Sequence, residues 1–153
     1  MADIHIEEFY KDAAIALVQL YNVFPRRINL FVEDIAGADE PDEFGLHSKR
    51  HMACFGTLLW LSEEGLLRYV DTIRQEALDQ AVLTQQAFVR MSSPASADLQ
   101  EQEPAASGAD LPPAIREDFS THIHMLRTAL RSGSSAKISR VMQATFFRDS
   151  TDY

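Results

Sequence analysis

One cysteine, Cys54, is all the chain has for bridging, so an internal disulfide framework is excluded and a reducing compartment is expected. Long apolar runs are also missing. None approaches the roughly 20 residues that a membrane span needs, and the opening MADIHIEE is acidic where a secretory leader would be basic and then apolar. The expectation is a cytoplasmic protein with no membrane partner. Positive charge is scarce as well: 14 Lys and Arg stand against 23 Asp and Glu, a net charge of −9. The deficit is uneven, since residues 1 to 93 hold 15 acids and 8 bases, residues 94 to 110 hold 4 acids and no base, and residues 111 to 148 hold 2 acids and 6 bases. Non-specific contact with phosphate backbones depends on Lys and Arg displacing counterions. An acidic front part therefore disfavours it, while leaving room for a local basic patch.

The usual signatures of catalysis are absent. There is no glycine-rich phosphate loop, no nucleophile with a local base, and no carboxylate pair in an apolar setting. Glu7-Glu8, Asp39-Glu40, Asp42-Glu43 and Glu63-Glu64 are paired acids, but each falls on a helix surface or a loop where charge is solvated. No enzyme activity, cofactor or small-molecule substrate is expected. Neither an internal repeat nor a sustained heptad is found.

What is present is an ordinary globular composition, 46% hydrophobic and 24% charged, in 153 residues, enough for one domain and an appendage. Ile6, Phe9, Ala13, Ala16, Leu17, Leu20 and Phe24 recur at helical spacing, predicting a first helix over 6–22 that Pro25 ends. A brief extended piece and one or two helical turns are expected over 29–36. Gly37 to Gly45 is a loop, with four of its nine residues acidic. Ser48 is a good N-cap, its hydroxyl placed to accept from a first-turn amide, and Met52, Phe55, Leu58 and Leu59 mark one side of a helix that should stop at Gly65. Leu66–Asp71 and Gln80–Thr84 read as strands. The intervening TIRQEALD lacks the Asn-Gly or Asp-Gly of a tight hairpin, which predicts a longer, flexible tip. Thr84 then caps a helix carrying Phe88 and Met91.

Residues 92 to 110 contain one large apolar residue in nineteen, too few to offset the entropy of ordering them. This divides the chain into a domain over 1–92, a flexible acidic linker over 93–110, and a helical hairpin over 111–148. In the hairpin Pro112-Pro113 starts a helix with Ile115, Phe119, Ile123, Leu126 and Leu130. Ser132-Gly133-Ser134 breaks it, and Ile138, Val141, Met142 and Phe146 mark a final helix. Two amphipathic helices need something to pack on, so a packing or dimerisation role is expected.

Leu58, Leu61, Glu64-Gly65-Leu66, a polar tip and Val82-Leu83-Thr84 together resemble the winged helix-turn-helix superfamily, in particular the MarR and PadR groups. There a recognition helix ends in Leu-x-x-x-Gly-Leu, a two-stranded wing follows, and Leu-Thr precedes the next helix. The resemblance covers residues 6 to 92. It implies an α-rich α+β fold, a winged helix with a two-stranded wing, to which the two C-terminal amphipathic helices are added. It also implies that residues 48–64 form the recognition helix, whose start enters the DNA major groove in members that bind DNA. Lys49, Arg50 and His51 are then the groove-facing candidates, with Arg68 and Arg74 on the wing. The sequence departs from the pattern at Ala87, where many members have glycine, and in the acidic residues Glu76 and Asp79 of the wing.

Other candidates have plainer readings beside them. His47, His51 and Cys54 lie at i, i+4 and i+7 and could present two imidazoles and a thiolate on one helix face. Zinc normally wants three or four ligands with outer support, and the ordinary reading is a polar helix start running into a small buried cysteine, so no metal site is expected. Trp60 reads as core or as a partner anchor. Phe146-Phe147, close to the end of the helical pattern, reads as a dimer contact. The leading expectation is a non-enzymatic winged-helix interaction subunit working through protein–protein contacts, with itself as a homodimer or with another protein. The alternative is a DNA-binding transcriptional regulator using the 48–64 helix and the 66–84 wing on duplex DNA.

Overall fold

The computed structural model describes residues 3–100 and 121–147. Two compact units divide the chain, Met1–Ala87 and Phe88–Tyr153. The boundary falls a few residues ahead of the composition change near residue 92.

The first unit is mixed α+β. Helix α1 (Ile4–Val23) is followed by strand β1 (Ile28–Phe31), a single turn α2 (Glu33–Ala36), helix α3 (Lys49–Glu63), strands β2 (Leu67–Arg68), β3 (Asp71–Ile73) and β4 (Ala77–Leu83), and the start of α4 (Gln85–Ser92). β4 is the centre of a small four-stranded antiparallel sheet. It pairs β1 along one edge and β2 and β3 along the other. α1 buries Ala13, Ala16, Leu17 and Leu20, and α3 buries Cys54, Phe55, Leu58 and Leu61. Together with Leu30, Val32, Leu67, Leu78, Ala81 and Leu83 of the strands they form one core. The helical spacing of apolar residues in α1 and α3 and the buried runs Ala77-Leu78 and Ala81-Val82-Leu83 of β4 are thus satisfied by the same interior.

The caps follow the sequence. The Ser48 hydroxyl accepts from the His51 amide at 3.1 Å, and Thr84 Oγ1 accepts from the Ala87 amide at 3.2 Å. Gly65 takes a left-handed φ of 78°, which allows the Leu66 amide to donate back to the Leu61 carbonyl at 2.9 Å.

The hairpin corrects the expectation of a long, flexible tip. β3 and β4 run into TIRQEALD and leave a turn of Arg74-Gln75-Glu76, closed by the Glu76 amide on the Ile73 carbonyl at 3.0 Å. Arg74 adopts φ 52° without being glycine or asparagine, so the residue types that signal tight turns were not there to be read. The first strand is split instead, because Val70 swings out of line and is 60% exposed. Opposite β1 the register shifts by one residue between Ile28 and Leu30, a bulge in which Gln80 has φ 55° and donates its amide to the Asn29 side chain at 3.2 Å.

In the second unit, α5 (Ala97–Gln100) lies inside the expected linker. Ala95 and Leu99 are buried and Pro94 bridges Thr121. Residues 101–110 of that linker, and the helix start expected at Pro112-Pro113, lie outside the described residues. Helices α6 (His122–Ser132) and α7 (Ser135–Phe146) are joined at Gly133, φ 70°, with Ser134 capping the second. They bury Ile123, Leu126, Ala129, Ile138, Val141, Met142 and Phe146. Among the described residues no helix is long and apolar enough to cross a membrane.

Candidate metal centre and the start of α3

The sequence marks out the start of α3, and most of the unit's polar organisation converges there. Arg50 is only partly exposed to solvent. Its guanidinium meets Asp12 of α1 in a two-pronged ion pair, 2.6 Å from each nitrogen to each oxygen, with Glu8 at 3.8 Å from Nε. Asp12 is 1% exposed. The pairing raises the pKa of Arg50, and a buried carboxylate so bridged is compensated in the only way that makes its burial affordable. Cys54, one turn on, is fully buried. Burial, reinforced by the nearby Asp12 carboxylate, pushes its thiol up to about 12, so it is neither a nucleophile nor a ready metal ligand.

On the other side of the helix start, the acidic loop folds back. Asp39 accepts the Ser48 hydroxyl at 2.6 Å, the Ser48 amide at 3.1 Å and His47 Nδ1 at 3.0 Å. The two hydrogen bonds from Ser48 hold its carboxyl down at about 2. The imidazoles of His47 and His51 stack with centroids 3.8 Å apart and planes within 8°. His51 is 5% exposed and its Nε2 lies 2.7 Å from the Gln75 carbonyl of the β3–β4 turn. Glu76 stands 3.9 Å from His47 Nε2. The β3–β4 turn is held there by the Val32 amide, which donates to the Glu76 carbonyl at 2.9 Å.

Asp39, His47 and His51 offer three ligand atoms within 4.8 Å of one another. They line a cavity of about 240 Å³ with Phe31, Glu33, Pro41 and Glu76. Of the three metal candidates in the sequence, the structure brings the two histidines together and leaves Cys54 out. Asp39 takes the third place. Helical spacing could find His47 and His51, but Asp39 is nine residues before the cap Ser48 and reaches it only because the loop turns back.

The nucleic-acid candidates separate. Lys49, Arg68 and Arg74 are exposed, whereas Arg50 is tied to Asp12 and His51 is buried against the β3–β4 turn. The partner candidates separate too. Trp60 is 38% exposed and meets Phe9 edge-on at 5.3 Å, so it is neither fully core nor a freely projecting anchor. Phe146, expected at a dimer contact, is 5% exposed inside its own unit, and Arg90 donates to its carbonyl at 2.7 Å. Phe147 is half-buried beside it. Met91 of α4, Leu99 of α5 and Ala95 between them are also buried in this unit.

No protein-family model, curated protein or solved structure matches the chain.

Proposed function

We propose that the first unit is a winged-helix module acting through protein–protein contacts and without enzymatic activity. The element order α1, β1, α2, α3, then a hairpin whose returning strand sits between β1 and the outgoing strand, supports the winged-helix reading. The observation that carries the choice of ligand is the Arg50–Asp12 pair. A helix that reads DNA presents its first-turn side chains to the groove. Here two of the first three, Arg50 and His51, are spent inside the protein.

The surroundings also oppose phosphate. Asp39, Glu33 and Glu76 flank the helix start, and a phosphate backbone approaching it would meet like charge. The acidic loop instead carries Phe44 and Leu46, 78% and 64% exposed, with both amides donating to the Asp42 carboxylate at 2.9 Å. Apolar side chains on a braced loop are suited to a protein surface. A second copy of the chain is the partner proposed. Sedimentation equilibrium across the micromolar range tests this, with reversible dimerisation expected and a monomer throughout counting against it.

A DNA-binding regulator is the second reading, and the exposure of Lys49, Arg68 and Arg74 favours it. It requires salt-sensitive duplex binding that is lost on Lys49→Glu.

A further inference from the structure

The His47–His51 stack is polarised in one direction. His51 Nε2 faces the Gln75 carbonyl at 2.7 Å. A carbonyl can only accept, so Nε2 carries the hydrogen and Nδ1 keeps its lone pair in the neutral ring. That Nδ1 is buried without a hydrogen-bond partner, and it faces Asp39 Oδ2 at 3.9 Å. Two acceptors facing one another across a buried gap too long for a hydrogen bond leave a place for a cation.

His47 offers the same two nitrogens with the proton on the other one. Its Nδ1 donates to the same Asp39 oxygen at 3.0 Å, and its Nε2 stands 3.9 Å from the Glu76 carboxylate, beyond hydrogen-bond distance. Both rings thus turn Nε2 to acceptors of the wing tip and Nδ1 to Asp39. Histidines that bind metals typically donate the second ring nitrogen to a carbonyl or carboxylate that fixes the tautomer, as His51 does to Gln75.

We infer that Asp39 Oδ2, His47 Nδ1 and His51 Nδ1 bind one divalent transition ion of the zinc class. Bonds of about 2.0 to 2.2 Å at near-tetrahedral angles separate ligand atoms by roughly 3.3 to 3.6 Å. The separations of 3.0 and 3.9 Å from Asp39 Oδ2 bracket that range, so small side-chain rotations suffice. Two imidazoles select a borderline transition ion over magnesium or calcium, which take oxygen ligands. The ion displaces the hydrogen on His47 Nδ1, and the ring takes a proton at Nε2, the nitrogen that faces Glu76, so that His47 stays neutral. Its open position faces the cavity lined by Glu33 and Glu76, whose negative charge favours a cation.

Bound there, the ion joins the acidic loop to the start of α3 and, through Gln75 and Glu76, to the wing tip. The inference is independent of the protein-contact reading, since it rests on the side chains of the first unit alone.

Chelator-treated full-length protein is titrated with Zn²⁺ by calorimetry and with Co²⁺ by visible absorption. One site per chain is expected, with Co²⁺ ligand-field bands that Zn²⁺ abolishes, no comparable binding of Mg²⁺, and a rise in melting temperature with Zn²⁺. His51→Gln should abolish binding, while Asp39→Asn and His47→Gln, at less buried positions, should each weaken it by tenfold or more. Glu76→Gln should weaken it about tenfold, and Cys54→Ser and His124→Gln should leave it unchanged. Circular dichroism confirms that each variant is folded. The inference is overturned if stoichiometric Zn²⁺ neither binds nor raises the melting temperature, or if binding persists unchanged in folded Asp39→Asn and His47→Gln.

Discussion

Arg50 Nη1 and Nη2 each lie 2.6 Å from an oxygen of Asp12, joining α3 to α1 across 38 residues of sequence. The acid is buried and the arginine about one-third exposed, so the pair fixes where α3 begins against α1 and removes a positive charge from the surface.

Breaking one side of this pair leaves an uncompensated charge. Arg50→Ala is expected to destabilise the protein by on the order of 3 kcal/mol, toward the low end for buried pairs because the arginine is partly solvated. Asp12→Leu with Arg50→Met should recover most of that loss. Urea denaturation of the single and double variants measures both, and a loss below about 0.5 kcal/mol in Arg50→Ala would show the pair to be incidental.

Ser48 works in two directions, capping α3 through the His51 amide and donating to Asp39. Ser48→Ala should cost about 1 kcal/mol by loss of the cap. It should also raise the pKa of Asp39 from about 2 toward its ordinary value, since the lost hydroxyl favoured the ionised form. Chemical denaturation reads the first effect and a carboxyl-detected NMR titration in the presence of chelator reads the second.

The Cys54 thiol, pushed to about 12 against an ordinary 9.0, should resist alkylation in the native protein at pH 8 and react on unfolding. The sign of its pH effect follows. The unfolded chain loses this proton from pH 9 upward while the folded one retains it, so stability is full below about pH 9 and falls as pH rises toward 12. The comparison is with Cys54→Ser, whose melting temperature should fall less over that interval.

Arg74 holds φ 52° at an exposed turn. Arg74→Gly should be neutral or stabilising by up to about 1 kcal/mol, because glycine adopts the left-handed region without a steric cost. A clear loss in a thermal melt would mean that the arginine side chain makes a contact outweighing its strain.

The parts of this fold written in local chemistry were legible in the sequence. Ser48, Thr84, Gly65 and Gly133 end or start elements through bonds made within a few residues, and the apolar spacing of α1 and α3 defines their buried faces. What escaped depended on distant partners. The tight turn at Arg74 relies on pairing with β4 rather than on turn residues. The short helix at 97–100 and the burial of its one leucine, Leu99, accompany a bridge from Pro94 to Thr121, far along the chain. The same holds for the site: His47 and His51 follow from helical spacing, but Asp39 joins them only through the fold of its loop, and Arg50 left the surface because of an aspartate on α1.

The most direct test of the central claim is an anisotropy titration of labelled genomic duplex fragments with the intact protein at low ionic strength. With Arg50 and His51 committed inside the fold and acids around the helix start, no binding that weakens steeply with added salt is expected. Tight duplex binding that falls linearly in log salt, and that disappears on Lys49→Glu, would contradict the account and make the start of α3 a DNA-reading surface.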